Sequence, residues 1–125
     1  MPSRTGTISV AGAGTCREGS AEGRLTWAPE SLVRSVRVTA VVTDDETGGC
    51  DNFPDTDAVY TAYSGTTVVD TMEIEADNSV VARSFDLTGA LTSIDRVEVS
   101  ICWFPLVPIG SDPVLTCVVD SRRIS

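Results

Sequence analysis

The chain contains no histidine, no lysine and no glutamine in its 125 residues. The first two absences remove whole classes of chemistry. Ser–His–Asp and Cys–His nucleophiles need an imidazole base, and Ser–Lys dyads and Schiff-base catalysis need an amine. Zinc sites draw mainly on His and Cys. The four cysteines, Cys16, Cys50, Cys102 and Cys117, form no C-x-x-C pair, which excludes a zinc ribbon and a thioredoxin-like redox motif. No G-x-G-x-x-G or Walker A loop occurs, and Gly12-Ala13-Gly14 opens no helical pattern. No apolar run approaches the ~18 residues of a transmembrane helix, so membrane insertion is not expected. Positive charge is scarce: nine arginines stand against eighteen acids, a net charge of -9. Such a surface repels phosphate backbones and anionic lipid headgroups, so nucleic acid is not an expected partner. A carboxylate pair of the kind that glycosidases use survives this elimination, but nothing in the order of the acids singles one out. The expectation is a protein that is not an enzyme, with a small acid-pair hydrolase as the residual alternative.

What the sequence does contain is a period of two. Val36, Val38, Ala40 and Val42 alternate with Arg37, Thr39 and Val41, and Val97, Val99 and Ile101 alternate with Glu98 and Ser100. Alternation of this kind puts one face on a core and the other toward water. β-branched residues dominate these runs. Strands are expected near 5–10, 23–28, 33–43, 57–63, 66–75, 79–87, 94–103 and 114–120, separated by turn signals such as Gly12 to Gly14, Gly19, Thr47-Gly48-Gly49, Ser64-Gly65 and Gly110-Ser111-Asp112-Pro113. Asp77-Asn78 reads as a two-residue hairpin. Only Pro29–Leu32 and Thr88–Thr92 offer room for a helical turn. Length, an apolar content of 42% and the lack of repeats or linkers predict one domain over residues 1–125. The expected fold is all-β: a single antiparallel, immunoglobulin-like β-sandwich of about eight strands with two disulfides.

Four cysteines allow three pairings. Cys16–Cys50 with Cys102–Cys117 is favoured, because each bond then links neighbouring strands. Disulfides in a small domain point to an oxidising, extracellular compartment. Met1-Pro2-Ser3-Arg4 runs straight into a polar stretch without the apolar core of a signal peptide, so secretion implies a leader removed ahead of it.

Two segments are candidate sites. Cys102 and Cys117 enclose fourteen residues, and a bond between them would clamp a long hairpin loop. That loop begins Trp103-Phe104-Pro105-Leu106-Val107-Pro108-Ile109-Gly110. Two prolines restrict its backbone, and an exposed apolar loop makes a binding patch. Trp103, Phe104, Leu106, Val107 and Ile109 are the expected contacts, with Trp103 as the anchor; the competing reading is a lid folded onto the sandwich. The second segment, Asp44 to Asp57, holds six acids and Asn52. Asp51, Asp55 and Asp57 offer hard oxygen ligands for Ca²⁺, although the spacing is not that of an EF-hand and a solvated acidic loop is the plainer reading. No other cofactor is implied. Trp27 reads as core. Tyr60 and Tyr63 offer stacking faces for a glycan, but residues three apart on a strand do not share a face.

The pattern Val97-x-Val99-x-x-Cys102, followed by Cys117-Val118-Val119, resembles small secreted disulfide-bonded β-sandwich proteins of GC-rich bacteria. An all-arginine cation set fits such a genome. Among these proteins are adaptor subunits of secreted assemblies, including umbrella-shaped toxin particles. The resemblance covers about a quarter of the chain and implies a secreted adaptor whose partner is another secreted protein. The stretch Ile8-Ser9-Val10-Ala11-Gly12-Ala13-Gly14 is also similar to a strand of antibiotic-carrying chromoproteins. Their cysteines pair over short distances, and the long Cys16–Cys50 separation departs from that family. The leading expectation is a non-catalytic protein-binding module, with a carbohydrate- or small-ligand-binding sandwich as the alternative.

Overall fold

The computed structural model describes residues 3–12, 19–29, 32–44, 55–89, 92–103, 110–112 and 115–124. Eight strands account for most of them: β1 (Arg4–Ala11), β2 (Gly19–Trp27), β3 (Ser35–Asp44), β4 (Asp55–Ser64), β5 (Thr67–Asp77), β6 (Val80–Thr88), β7 (Arg96–Trp103) and β8 (Thr116–Arg123). They form two antiparallel four-stranded sheets, ordered β1-β2-β3-β6 and β5-β4-β7-β8. The chain crosses from the first sheet to the second between β3 and β4 and again between β6 and β7. Because β3 pairs with β6 and β4 with β7, the two crossings interlock, as the B–E and C–F pairs do in immunoglobulin-type sandwiches. Among the described residues there is no helix, and none long and apolar enough to cross a membrane.

Alternation places the core between the sheets. Ile8, Val10, Ala21, Leu25, Val36, Val38, Ala40, Val42 and Leu87 face inward from the first sheet; Ala58, Tyr60, Ala62, Ile74, Ala76, Val97, Val99 and Ile101 face them from the second. Trp27 is 6% exposed and belongs to this core, as its sequence context predicts. Tyr60 is the largest fully buried side chain among the described residues. Alanines at 58 and 62 flank it on its own strand, and Gly23 lies opposite, where a Cβ would come within 3.1 Å of the ring. The phenol crosses the sandwich and donates a 2.7 Å hydrogen bond to the Glu22 carbonyl of β2. Burial pushes its ionisation well above the ordinary tyrosine range, with the Glu22 charge adding to the effect.

Four aspartates accept backbone N–H groups from distant segments, and three of them, Asp44, Asp70 and Asp120, join the two sheets. At one pole buried Asp44 accepts the Thr56 hydroxyl (2.7 Å) and the Asn78 amide (2.7 Å). At the other pole Asp95 accepts the Gly65 amide (2.7 Å), while its own backbone joins Tyr63 and Ile124. On the two open sides Asp120 of β8 accepts from Ser9 of β1 (2.9 Å) and Asp70 of β5 accepts from Thr88 of β6 (2.9 Å). A charged acceptor makes each of these bonds stronger than a neutral one.

Two expectations need correction. Asp77-Asn78 does not join a hairpin: β5 pairs with β4 and β6 with β3, so the turn is an arch between sheets. Asn78 adopts a left-handed φ of 43°, and the Asp44 carboxylate holds its amide while Ser79 accepts the Asp44 amide. β2 begins at Gly19, four residues before the expected start. Gly19 reads as a turn in sequence, but it is an inward strand residue packed on Thr56, where a Cβ would meet the hydroxyl at 2.5 Å.

The expected Cys102–Cys117 disulfide is present. The two residues are directly opposite each other in the β7–β8 ladder, with Cα atoms 4.1 Å apart. Both are exposed, so the bond staples the hairpin on the outer face of one sheet. Cys16 and Cys50 lie outside the described residues.

Candidate binding groove between the sheet edges

The two open sides of the sandwich are finished differently. Along β1 and β8 the Asp120–Ser9 bond joins the edges and the Arg122 side chain lies across Gly6, leaving an open, polar hollow lined by Thr7 and Asp120 to Arg123. Along β5 and β6 ties stand at the two ends, the Asn78 arch and the Asp70–Thr88 bond. Between these ties runs a groove of about 270 Å³ lined by Met72, Glu73, Ile74 and Glu75 of β5 and Val81, Arg83, Ser84 and Phe85 of β6.

Strand parity explains the lining. Met72 and Ile74 share the inward face of β5 with Ala76, and Val81 and Phe85 share the inward face of β6 with Leu87. At an edge these positions have a neighbour on one side only, so Val81 and Phe85 stay half-exposed and Met72 is 39% exposed. The Phe85 ring meets Tyr60 edge-on, with centroids 5.5 Å apart and an interplanar angle of 69°. Tyr60 is fixed by its bond to Glu22, so the aromatic floor of the groove is braced through the core. Val80 and Val68 lie beyond the groove at 66% and 52% exposure. Three of the six exposed large apolar side chains among the described residues therefore belong to β5 and β6.

Arg83 occupies an inward position on β6, opposite buried Ala40 in the ladder, yet it is exposed and its guanidinium donates to the Ala82 carbonyl at 3.0 Å. An inward-pointing charge on an edge strand opposes uncontrolled strand pairing.

Phe104, Leu106, Val107 and Ile109 lie outside the described residues, as does the side chain of Trp103. The strand ends that flank the loop, at Trp103 and Thr116, sit at the same pole as Asp44 and Asp55, which flank the acidic stretch. Asp51 and the Asp55 side chain are also outside the described residues. Asp57 is exposed on the outer face of β4, opposite Glu75. Among the described residues no three acidic, Cys or His side chains group as a metal site. Tyr60 is buried and presents no stacking face. Tyr63 does reach the outer face, but the Arg96 guanidinium lies 4.1 Å from the centre of its ring and occupies one side. Arg96 also pairs with Glu98 at 3.3 Å.

The groove residues were not found from the sequence. The available signal is in Val80-Val81-Ala82-Arg83-Ser84-Phe85, where an arginine interrupts the inward row between Val81 and Phe85 and so marks an edge. No family model matches the chain, and no curated protein or solved structure matches it either.

Proposed function

We propose that this domain is a non-catalytic protein-binding module that takes an extended segment of a partner into the groove between β5 and β6. The observation that carries this reading is a braced, half-exposed aromatic residue, Phe85, at the floor of an apolar slot between two sheet edges. Addition of a strand to such an edge supplies main-chain hydrogen bonds, and the slot supplies side-chain selectivity. A pre-formed slot also lowers the ordering cost of binding. The Cys102–Cys117 disulfide supports an extracellular setting, and the adaptor role implied by the sequence resemblance fits a module of this kind. The loop 103–109 is a second proposed contact.

The test is site-specific photo-cross-linking. A benzophenone placed at Met72 should capture a protein from the native extracellular fraction, and the same probe at Thr39, on the outward face of the other sheet, should not. Equal labelling at both positions, or none at Met72, would reject the groove as the contact. A tryptophan fluorescence shift on titration with glycans, with no protein captured, would favour the carbohydrate-binding alternative.

A further inference from the structure

Resting on that reading, we infer that the partner segment adds to β5 rather than β6, and that it alternates apolar residues with Lys or Arg. The two edges differ in what they offer an incoming strand. On β6 the inward position between Val81 and Phe85 is Arg83, so an apolar residue laid beside it would face a guanidinium. On β5 the inward positions are apolar: exposed Met72 and buried Ile74 line the groove together with Phe85 and Val81. The outward positions of β5 are Glu73, Glu75 and Asp77, in a domain of net charge -9.

A strand beside β5 shares its parity. Residues next to Met72 and Ile74 point into the groove, and residues next to Glu73 point outward. Opposite charges across a ladder are favourable and like charges are not, so the outward residues of the partner are selected to be basic. The available length is bounded too. The register shift at Ala62/Tyr63 and the Asp70–Thr88 tie end the regular edge on one side, and the Asn78 arch ends it on the other. That leaves Thr71 to Asp77, room for a strand of roughly five to seven residues, a common strand length.

The experiment uses three capped heptapeptides, alternating Lys–Val, Glu–Val and Lys–Ser, titrated into the whole protein at physiological salt. Affinity is read by fluorescence anisotropy and position by backbone amide shifts. Variants are Met72→Glu and Glu73→Lys, both at exposed positions, with circular dichroism to confirm folding. The expected result is that Lys–Val binds about tenfold tighter than either control and shifts amides of β5. Met72→Glu should abolish that binding, and Glu73→Lys should shift preference toward Glu–Val. If Glu–Val binds as well as Lys–Val, and Met72→Glu removes both, the basic partner is wrong while the groove stands. If Lys–Ser matches Lys–Val and Met72→Glu has no effect, attraction is by charge alone and the inference fails. If Lys–Val shifts β6 amides and not those of β5, the choice of edge is overturned. If no peptide shifts either strand, and the Met72 cross-link is also empty, the groove reading falls with it.

Discussion

Replacing Tyr60 by Phe deletes one oxygen from the centre of the sandwich and should change stability differently at neutral and alkaline pH. At pH 7 the variant loses the bond to the Glu22 carbonyl, a loss of about 1–1.5 kcal/mol. For a domain of this size each kcal/mol lowers Tm by roughly 3–6 °C. Above pH 10 the ranking should close. In the unfolded chain Tyr60 ionises near its ordinary value of about 10, whereas burial keeps the folded phenol protonated. The unfolded state then sheds a proton that the native state retains. The stability this confers is complete below about pH 10 and falls by about 1.4 kcal/mol per pH unit above it. Phe cannot ionise, so the variant lacks this slope and the two curves should meet around pH 11. The absence of lysine makes the experiment clean, because Tyr63, the other tyrosine, is common to both proteins. Urea melts followed by tryptophan fluorescence at several pH values would measure it. Parallel curves past pH 11, or phenolate absorbance showing Tyr60 ionising near pH 10 in the folded protein, would refute the reasoning.

Three further outcomes are expected. Asp120→Ala and Asp70→Ala each remove a charged acceptor at an exposed edge and should cost about 1 kcal/mol. Hydrogen exchange should show selective loss of protection at Ser9 in the first and at Thr88 in the second; a uniform change would mean that these bonds do not hold the edges. Arg83→Val removes the inward charge from β6 and should produce self-association at micromolar concentration, read by light scattering after size exclusion, and a variant that stays monomeric would discount the gatekeeper role. Replacing both Cys102 and Cys117 by Ser opens a link across 15 positions and should lower stability by about 3 kcal/mol in the chain-entropy account, measured by thermal melting beside the oxidised parent.

The fold was legible because its signal is local. Val36 to Val42 and Val97 to Ile101 declare their faces by alternation alone, and Cys102 and Cys117 fall on opposed positions once β7 and β8 pair in register. What sequence could not supply was the assignment of neighbouring strands to sheets. Asp77-Asn78-Ser79 carries the residues of a hairpin, and only the distant Asp44, reaching its amide from 34 positions away, turns it into an arch. Gly19 misled for a related reason. It looks like a breaker along the chain, but its lack of a side chain answers Thr56 on the opposite sheet, as that of Gly23 answers Tyr60. The groove inherits this difficulty, since Met72 and Phe85 meet only through the pairing of two sheets. The acidic composition reads differently as well. As a string it suggests a cation site or a solubilising surface, whereas Asp44, Asp70, Asp95 and Asp120 each hold a backbone amide of a remote segment.

The contrast between the two open sides bears on why the groove exists. Along β1 and β8 one inward aspartate reaches the facing strand and a long side chain lies across a glycine, so that the hollow left there is polar rather than apolar. The same aspartate device recurs on the other side, at its end, through Asp70. The middle is left with Met72, Val81 and Phe85 part-exposed. Full burial of such a side chain is worth about 1.5–3 kcal/mol, which is large beside a typical stability of roughly 5–15 kcal/mol. A larger residue at Ser84 would not recover it, because that position faces outward; a larger residue at Ala40 would collide with the packed core beneath Arg83. The inward row of β6 instead carries an arginine, a charge that opposes indiscriminate pairing on that edge. On the proposed reading, the apolar stretch of β5 between the two ties is kept for an occupant, and the peptide titration decides between that and incomplete packing.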